Sequence, residues 1–428
     1  MMEKFHYICT DCKQEYSADK IRYLCPSCKM ENVADQPPKG VLKTVYPYEK
    51  IIKSVSAKER FRSLAHDGFL SILPLRDLKS WPGLKVGNTP MYRFEGWPGG
   101  QEDELKGKLD FELYLKDDSQ NPTFSFKDRA SALVSAWAKE QGIHTIIAAS
   151  TGNAGSSLAG ICASQGQQSV IFVPAAAPPA KLTQIMMYGA RILPVKGNYD
   201  QAFELSVKAT ELFGFYNRNT AYNPLTIEGK KTVSFELFAQ MSQQLPDRIF
   251  VPTGDGVILT GVYKGFEDLL RLGIIGNMPV IVAVQAEGSD NLIRNIGSKT
   301  FTAVPSQTLA DSISVDVPKN FNMSVNYLKE YAGEWISVND AEILSAGKKL
   351  AVSTGIFSEP AAAAAFAGML KYHKEERIPA RSKNVVLLTG SGLKDFKAFQ
   401  TSFHMPPPID PDIHALEKVF QGMMKKNK

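Results

Sequence analysis

From residue 145 onward, short apolar, β-branched runs alternate with helical segments, and this rhythm constrains the fold more than any other feature of the chain. Thr145-Ile146-Ile147-Ala148-Ala149 reads as a buried strand ending at Ser150, Ser156 to Ala163 as a helix, and Ser169-Val170-Ile171-Phe172-Val173-Pro174 as the next strand. Lys181 to Tyr188 is helical and stops at Gly189, and Arg191-Ile192-Leu193-Pro194-Val195 is strand again. Continuously apolar strands separated by helices belong in a parallel sheet, because each helix carries the chain back across a face of the sheet and covers it. The rhythm returns at Arg248-Ile249-Phe250-Val251-Pro252, at Val280 to Val284 and at Asn384 to Leu388. The expected class is α/β. Two open, mostly parallel-sheet domains would occupy residues 41–245 and 246–428, with the chain free to cross between them, after an N-terminal module and linker over 1–40. Open α/β sheets bind ligands beyond the carboxyl ends of their strands. That rule selects three loops: Ser150 to Gly155, Thr253 to Ile258 and Thr389 to Gly392.

A length of 428 residues with a hydrophobic fraction of 44% is enough for two domains around a large core. A net charge of +5 is small for this length and makes no case for nucleic acid or a membrane surface as a partner. No apolar run reaches the roughly 18 residues that a bilayer span requires. Met1-Met2-Glu3-Lys4-Phe5-His6 lacks the apolar centre of a secretory signal, so a cytoplasmic location is expected.

Four of the five cysteines fall in the first 28 residues, as Cys9-x2-Cys12 and Cys25-x2-Cys28 with twelve residues between the pairs. Two such pairs suit a tetrahedral four-thiolate zinc site in a zinc-ribbon-like module, structural because four protein ligands leave no position for water. Two disulfides or four free thiols are the alternatives, and disulfides fit a reducing cytosol poorly. Pro26 favours a tight turn that points backbone N–H groups at sulfur, and Asp35-Gln36-Pro37-Pro38-Lys39-Gly40 reads as a linker. Cys162, in an apolar helical stretch, reads as a small buried hydrophobe.

Chemistry concentrates in a few places. Lys127 follows the aromatics of Pro122-Thr123-Phe124-Ser125-Phe126 at a helix start, where apolar surroundings would lower its pKa and favour imine formation. Read alone it is a surface lysine paired with Asp128. Ser150-Thr151-Gly152-Asn153-Ala154-Gly155 has small side chains, so its N–H groups and the following helix can approach an anion closely. Thr253-Gly254-Asp255-Gly256-Val257-Ile258 is a second glycine-rich turn of the kind that cradles phosphate. In Leu388-Thr389-Gly390-Ser391-Gly392, Thr389 ends a strand and offers a hydroxyl to the same crevice.

Taken together and in this order, these segments resemble the fold-type II, tryptophan synthase β-like pyridoxal-phosphate enzymes, and most closely the threonine synthase family. Gly87-Asn88-Thr89-Pro90, Ser125 to Arg129, Asn223-Pro224 with Glu228-Gly229-Lys230-Lys231-Thr232, Val284 to Gly288 and Glu359-Pro360 complete the match, from about residue 85 to 395. The resemblance implies a lyase using pyridoxal 5′-phosphate to convert O-phospho-L-homoserine and water to L-threonine and phosphate. It gives Lys127 the Schiff base and the proton transfers at the substrate's α and β carbons, and Asn153 the 3′-oxygen of the pyridine. Thr389 would meet the pyridine nitrogen, and Gly254, Asp255, Gly256, Val257 and Ile258 would cradle the cofactor phosphate. Substrate contacts would come from Ser150, Thr151, Asn153, Ala154, Asn198 and Asn223. A small amino-acid phosphate is the implied partner, and a homodimer the implied assembly.

Where the family often reads Gly-Asn-Phe-Asp-x-x-x-Arg, this chain reads Gly197-Asn198-Tyr199-Asp200-Gln201-Ala202-Phe203-Glu204. That arginine helps bind the substrate phosphate by resemblance, whereas Glu204 would repel a phosphate if it faced the pocket. Otherwise Glu204 is a surface helix residue and another base, Lys181 or Arg218, substitutes. A paralogue with a different leaving group or nucleophile, cysteate-synthase-like or making a non-protein amino acid, is the second reading. A zinc-ribbon interaction protein on a decayed enzyme fold is a third, opposed by intact Lys127, Asn153 and Thr389.

Overall fold

The computed structural model describes residues 4–19, 23–52, 54–94, 109–400, 403 and 405–426. The first three residues of the N-terminal segment read above therefore lie outside the described residues. Residues Met1–Asp395 form one compact unit and Phe396–Lys428 a second, whose main element is a helix over Ile413–Lys426. No helix among the described residues is long and apolar enough to cross a membrane.

Three sheets organise the first unit. β1 (His6–Cys9), β2 (Glu15–Ser17) and β3 (Leu42–Val45) form a small antiparallel sheet in the order β2-β1-β3, so the N-terminal module runs through the linker to residue 45. After β4 (Met91–Phe94) and β5 (Glu112–Asp117) come β6 (Thr145–Ala149), β7 (Gln168–Pro174), β8 (Arg191–Val195) and β9 (Tyr216–Asn217), which make a parallel four-stranded sheet in the order β8-β7-β6-β9. β10 (Arg248–Pro252), β11 (Val280–Ala286), β12 (Glu334–Val338) and β13 (Lys383–Leu388) join β5 and β4 in a six-stranded sheet ordered β12-β11-β10-β13-β5-β4. Only the β4–β5 pair of that sheet is antiparallel. The six-stranded sheet thus takes two strands from before residue 245, and the chain crosses from one sheet to the other and back.

Central strands are apolar on both faces because helices cover both. Ile146, Ile147, Ile249, Phe250, Val251, Val385 and Val386 are all fully buried. The chain leaves β6 into the helix Asn153–Gln165 and leaves β10 into the helix Val257–Arg271, which places both helix N-termini at the carboxyl ends of parallel strands.

One contact fixes the distance between the two lysine-bearing helices. A Cβ on Gly229 would lie 2.3 Å from the carbonyl oxygen of Arg129 and 2.7 Å from Cα of Ala130. Only glycine lets the helix Leu225–Lys230 lie backbone to backbone on the helix Lys127–Glu140.

Candidate active site

Lys127 is held by its neighbours rather than by its own side chain. Asp128 turns back to accept the Thr123 N–H at 2.7 Å and the Thr123 hydroxyl at 2.5 Å, closing the loop before the helix. Arg129 is clamped by Asp118 at 2.6 Å and Glu236 at 2.6 Å, and Glu236 also binds Lys116 at 2.7 Å. The Phe126 N–H donates to the carbonyl of Thr389 at 2.8 Å, tying the lysine loop to the end of β13. The residues flanking Lys127 are therefore spent on rigidity, and the lysine alone faces the cleft.

That cleft encloses about 380 Å³, a size ordinary for small-molecule sites. Lys127, Ser150, Thr151, Asn153, Ala154, Gly254, Asp255, Gly256, Val257 and Ile258 all line it. Two sets of backbone donors line it. In the first, the N–H groups of Thr151, Asn153 and Ala154 donate to no acceptor among the described residues, while that of Gly152 meets the Ser150 hydroxyl at 3.2 Å. In the second, residues 254–258 likewise leave their N–H groups undonated at the N-terminus of the helix Val257–Arg271. Gly256 makes that turn at φ +84, and a Cβ there would strike the Ser324 hydroxyl at 2.1 Å. Unsatisfied N–H groups at two helix starts suit two anionic groups of bound molecules. This donor set fits a phosphate on one side and a carboxylate on the other, with an amine between them.

The electrostatics suit that amine. Burial pushes the Lys127 pKa down, the Glu359 carboxylate opposes this, and Arg218 lowers it further. A lysine displaced toward neutrality is a better nucleophile and proton carrier. Glu359, fixed just before the helix Pro360–Lys374, has its own pKa raised by burial, opposed by the Asn153 amide. Asn153 Nδ2 lies 3.0 and 2.9 Å from the two Glu359 oxygens. Glu359-Pro360 was legible as a segment of the resemblance, but its place beside Asn153 and Lys127 was not.

Three expected site residues do not line the cleft. Asn198 is exposed and caps the helix Tyr199–Phe213 by a reciprocal pair of bonds with Gln201. Asn223 is buried, donating to the Asn217 carbonyl at 2.8 Å and accepting the Leu225 N–H at 2.9 Å, so it shapes the turn. Thr389 is buried directly behind the lysine loop, and its hydroxyl bonds no described residue. Glu204 is exposed on the side of its helix opposite the buried Ala202, Ser206, Ala209 and Thr210, one turn beyond the cleft-lining Asp200, and is not itself among the residues lining the cleft. Arg218, Lys230 and Tyr199 do line it. Adjacent basic letters in the sequence gave no sign of which lysine turns inward.

The four N-terminal cysteines form a cluster whose Sγ atoms all lie within 4.8 Å of one another. Cys9 to Cys28 is 3.7 Å and Cys12 to Cys25 is 3.8 Å. These separations are far beyond a disulfide bond of about 2.05 Å, and all four cysteines are free. Four sulfurs around one tetrahedral ion, with bonds of about 2.3 Å, sit about 3.8 Å apart, so the cluster has the geometry to hold a metal ion. Burial opposes ionisation of Cys25, but the Cys28 N–H, the Tyr16 hydroxyl and the Ser27 N–H together hold its thiol down to about 7, as the turn at Pro26 suggested. Burial pushes Cys162 up to about 12, which keeps it a neutral, inert packing residue.

A lysine between two helix-terminal anion sites, on a doubly covered parallel sheet, defines a class of enzyme that holds a phosphorylated aldehyde cofactor and an amino acid side by side. Residues 84–390 match the family described as pyridoxal-phosphate dependent enzyme. The threonine synthase of Methanocaldococcus jannaschii is 33% identical over 90% of this chain and 94% of its own length. That of Methanosarcina acetivorans is 32% identical over 98% of this chain and 100% of its own. Among solved structures, the processed form of threonine deaminase isoform 2 from Solanum lycopersicum superposes with a TM-score of 0.60 at 21% identity, over 68% of this chain and 82% of its own, and shares the fold. The chain belongs to the threonine synthase family of pyridoxal-phosphate-dependent enzymes, and is a lyase of that class.

Proposed function

We propose that the protein is a threonine synthase, converting O-phospho-L-homoserine and water to L-threonine and phosphate. The observation that carries this reading is the convergence of Lys127 and two sets of free N–H donors on one cleft. The absence of Glu204 from the lining of that cleft supports the same reading.

Bound pyridoxal phosphate supplies an electron sink for the substrate's Cα. The residues 254–258 would hold its phosphate and Asn153 its 3′-oxygen; Thr389, buried behind the lysine loop and outside the cleft lining, would meet the ring nitrogen only if the bound ring reaches past that loop. A hydroxyl at that nitrogen does not enforce protonation as a carboxylate would, which favours elimination and replacement over transamination. The Ser150–Ala154 loop would hold the substrate carboxylate and so fix Cα and Cβ beside Lys127. Its lowered pKa lets Lys127 accept a proton at one carbon and return it at another. The four-cysteine cluster would hold one structural zinc ion, supported by its sulfur separations. A homodimer belongs to the same reading by analogy with the family alone.

The test is turnover. Protein loaded with pyridoxal phosphate and given O-phospho-L-homoserine should release threonine and phosphate in equal amounts. Neither product, despite a lysine-bound cofactor absorbance, would assign the site to a different leaving group.

A further inference from the structure

Charges at the rim of the cleft are paired, whereas two basic groups on its floor have no described carboxylate at ion-pair distance, Asp255 acting on Lys230 and Asp128 on Arg218 only from further away. At the rim, Lys319 pairs with Asp200 at 3.0 Å, Lys181 pairs with Asp311 at 2.9 Å, and Asp316 accepts the Ser306 N–H at 2.7 Å. On the floor, Arg218 is 1% exposed and Lys230 is 0% exposed, and neither forms an ion pair with any described carboxylate. Arg218 meets only neutral groups: the Ser131 hydroxyl at 3.2 Å, the Thr220 hydroxyl at 3.1 Å and the Lys127 carbonyl at 3.5 Å. Among the described residues the Lys230 side chain has one bond, to the Thr226 carbonyl at 3.3 Å.

The same fold neutralises comparable cations elsewhere. Arg129 is as deeply buried as Arg218 and is held by two carboxylates. Lys231, the next residue after Lys230 and equally buried, binds Glu228 at 2.5 Å and Asp268 at 2.6 Å. Leaving one of two adjacent buried lysines without a counter-ion, beside an arginine in the same condition, pushes Lys230 toward its neutral form through burial and the neighbouring Arg218, and an anion arriving from outside would restore its charge.

The choice of anion rests on the threonine synthase reading. In that reading the cofactor phosphate and the substrate carboxylate are served by backbone N–H groups at the two helix starts. The substrate's own phosphate has no receiver, because the family's arginine position holds Glu204, an acid outside the cleft lining. We propose that Arg218, backed by Lys230, binds the phosphoryl group that leaves from the substrate. The guanidinium offers a planar fork that matches two phosphate oxygens. As the Cγ–O bond breaks, its electron pair leaves with the phosphate, and the proton taken from Cβ rests on Nζ of Lys127. The Arg218 guanidinium meets the growing charge on the departing oxygen without supplying a proton, and that charge favours the protonated form of Lys230. Arg218 also helps to lower the Lys127 pKa, which keeps the amine able to take that proton.

The test uses cofactor-loaded enzyme, with lysine-bound cofactor absorbance as the control for folding and loading. R218Q should raise both KM for O-phospho-L-homoserine and the inhibition constant of inorganic phosphate at least tenfold, and R218K should recover part of the loss. K230Q should raise the phosphate constant about threefold. A fully loaded R218Q with wild-type KM and phosphate inhibition overturns the assignment while leaving threonine synthesis intact. If R218Q does not load, K230Q decides, and an unchanged phosphate constant overturns the proposal. Should wild-type enzyme fail to turn over O-phospho-L-homoserine, thermal stabilisation by inorganic phosphate replaces inhibition as the readout. Stabilisation lost in R218Q keeps the phosphate site while sinking the threonine synthase reading, and stabilisation unchanged in R218Q sinks the phosphate site as well.

Discussion

Lys127 shows how a side chain becomes reactive through what is done to its neighbours. Asp128 and Arg129 carry the charges that a reader of Lys127-Asp128-Arg129 would pair locally, yet each is committed elsewhere, to Thr123 and to Asp118 with Glu236. The lysine is left buried at the cleft with its pKa lowered chiefly by that burial. Lys127→Ala should therefore abolish the lysine-bound cofactor absorbance and reduce turnover on the order of 10²–10⁴-fold, the usual worth of a positioned acid–base group. Spectra and steady-state kinetics check this, and normal turnover in the variant would remove Lys127 from the chemistry. At this scale the contiguous loops were legible, because Ser150–Gly155 and Thr253–Ile258 carry their function in consecutive small residues. The partners that come from far along the chain were not. Nothing near Asn153 in sequence signals Glu359, 206 residues away, at 2.9 Å. Asn198 and Asn223 look like binding residues by type, but a helix cap and a buried turn use the same amide chemistry.

Among the elements, legibility followed the source of each strand's burial. β6, β8 and β10 were read with their bounds intact because their cores are uninterrupted apolar runs. β5 was missed because its sequence, Glu112-Leu113-Tyr114-Leu115-Lys116-Asp117, puts charges where a buried strand should be apolar. Lys116 is fully buried all the same, since Glu236 and the Thr89 carbonyl meet its ammonium. An ion pair formed across 120 positions leaves no local pattern to read. Missing β4 and β5 also hid the crossing of the chain between sheets. The close approach at Gly229 yields a prediction at the same scale. Gly229→Ala must push the helix Leu225–Lys230 off the helix Lys127–Glu140, moving Lys230 and Lys127 apart. It should cost about 1–3 kcal/mol, the range for overpacking, and lower kcat with it. Denaturant unfolding and kinetics measure both, and a variant as stable and active as wild type would show that the contact is loose.

Across the whole molecule, the N-terminal sheet is fastened to the enzyme body by a buried polar network. Just after β3, Tyr46 donates to Glu228 at 2.5 Å and Tyr48 to Asp268 at 2.6 Å, the same two carboxylates that bind Lys231. The cysteine cluster thus anchors a module whose exit strand supports the helix bearing Lys230. Cys9→Ser should lose the bound metal, about one ion per chain in wild type, and lower the unfolding temperature, with a smaller effect on KM than on stability. Elemental analysis and thermal unfolding test this, and a wild-type unfolding temperature in metal-free protein would make the cluster dispensable. The proposed reaction breaks the Cγ–O bond of its substrate rather than the P–O bond. Cofactor-loaded enzyme should be run on O-phospho-L-homoserine in ¹⁸O-water, and both products examined by mass spectrometry. Cleavage at carbon followed by addition of water predicts ¹⁸O in the hydroxyl of threonine and none in the phosphate. Label in the phosphate, with homoserine in place of threonine, would show hydrolysis at phosphorus and contradict cleavage at carbon.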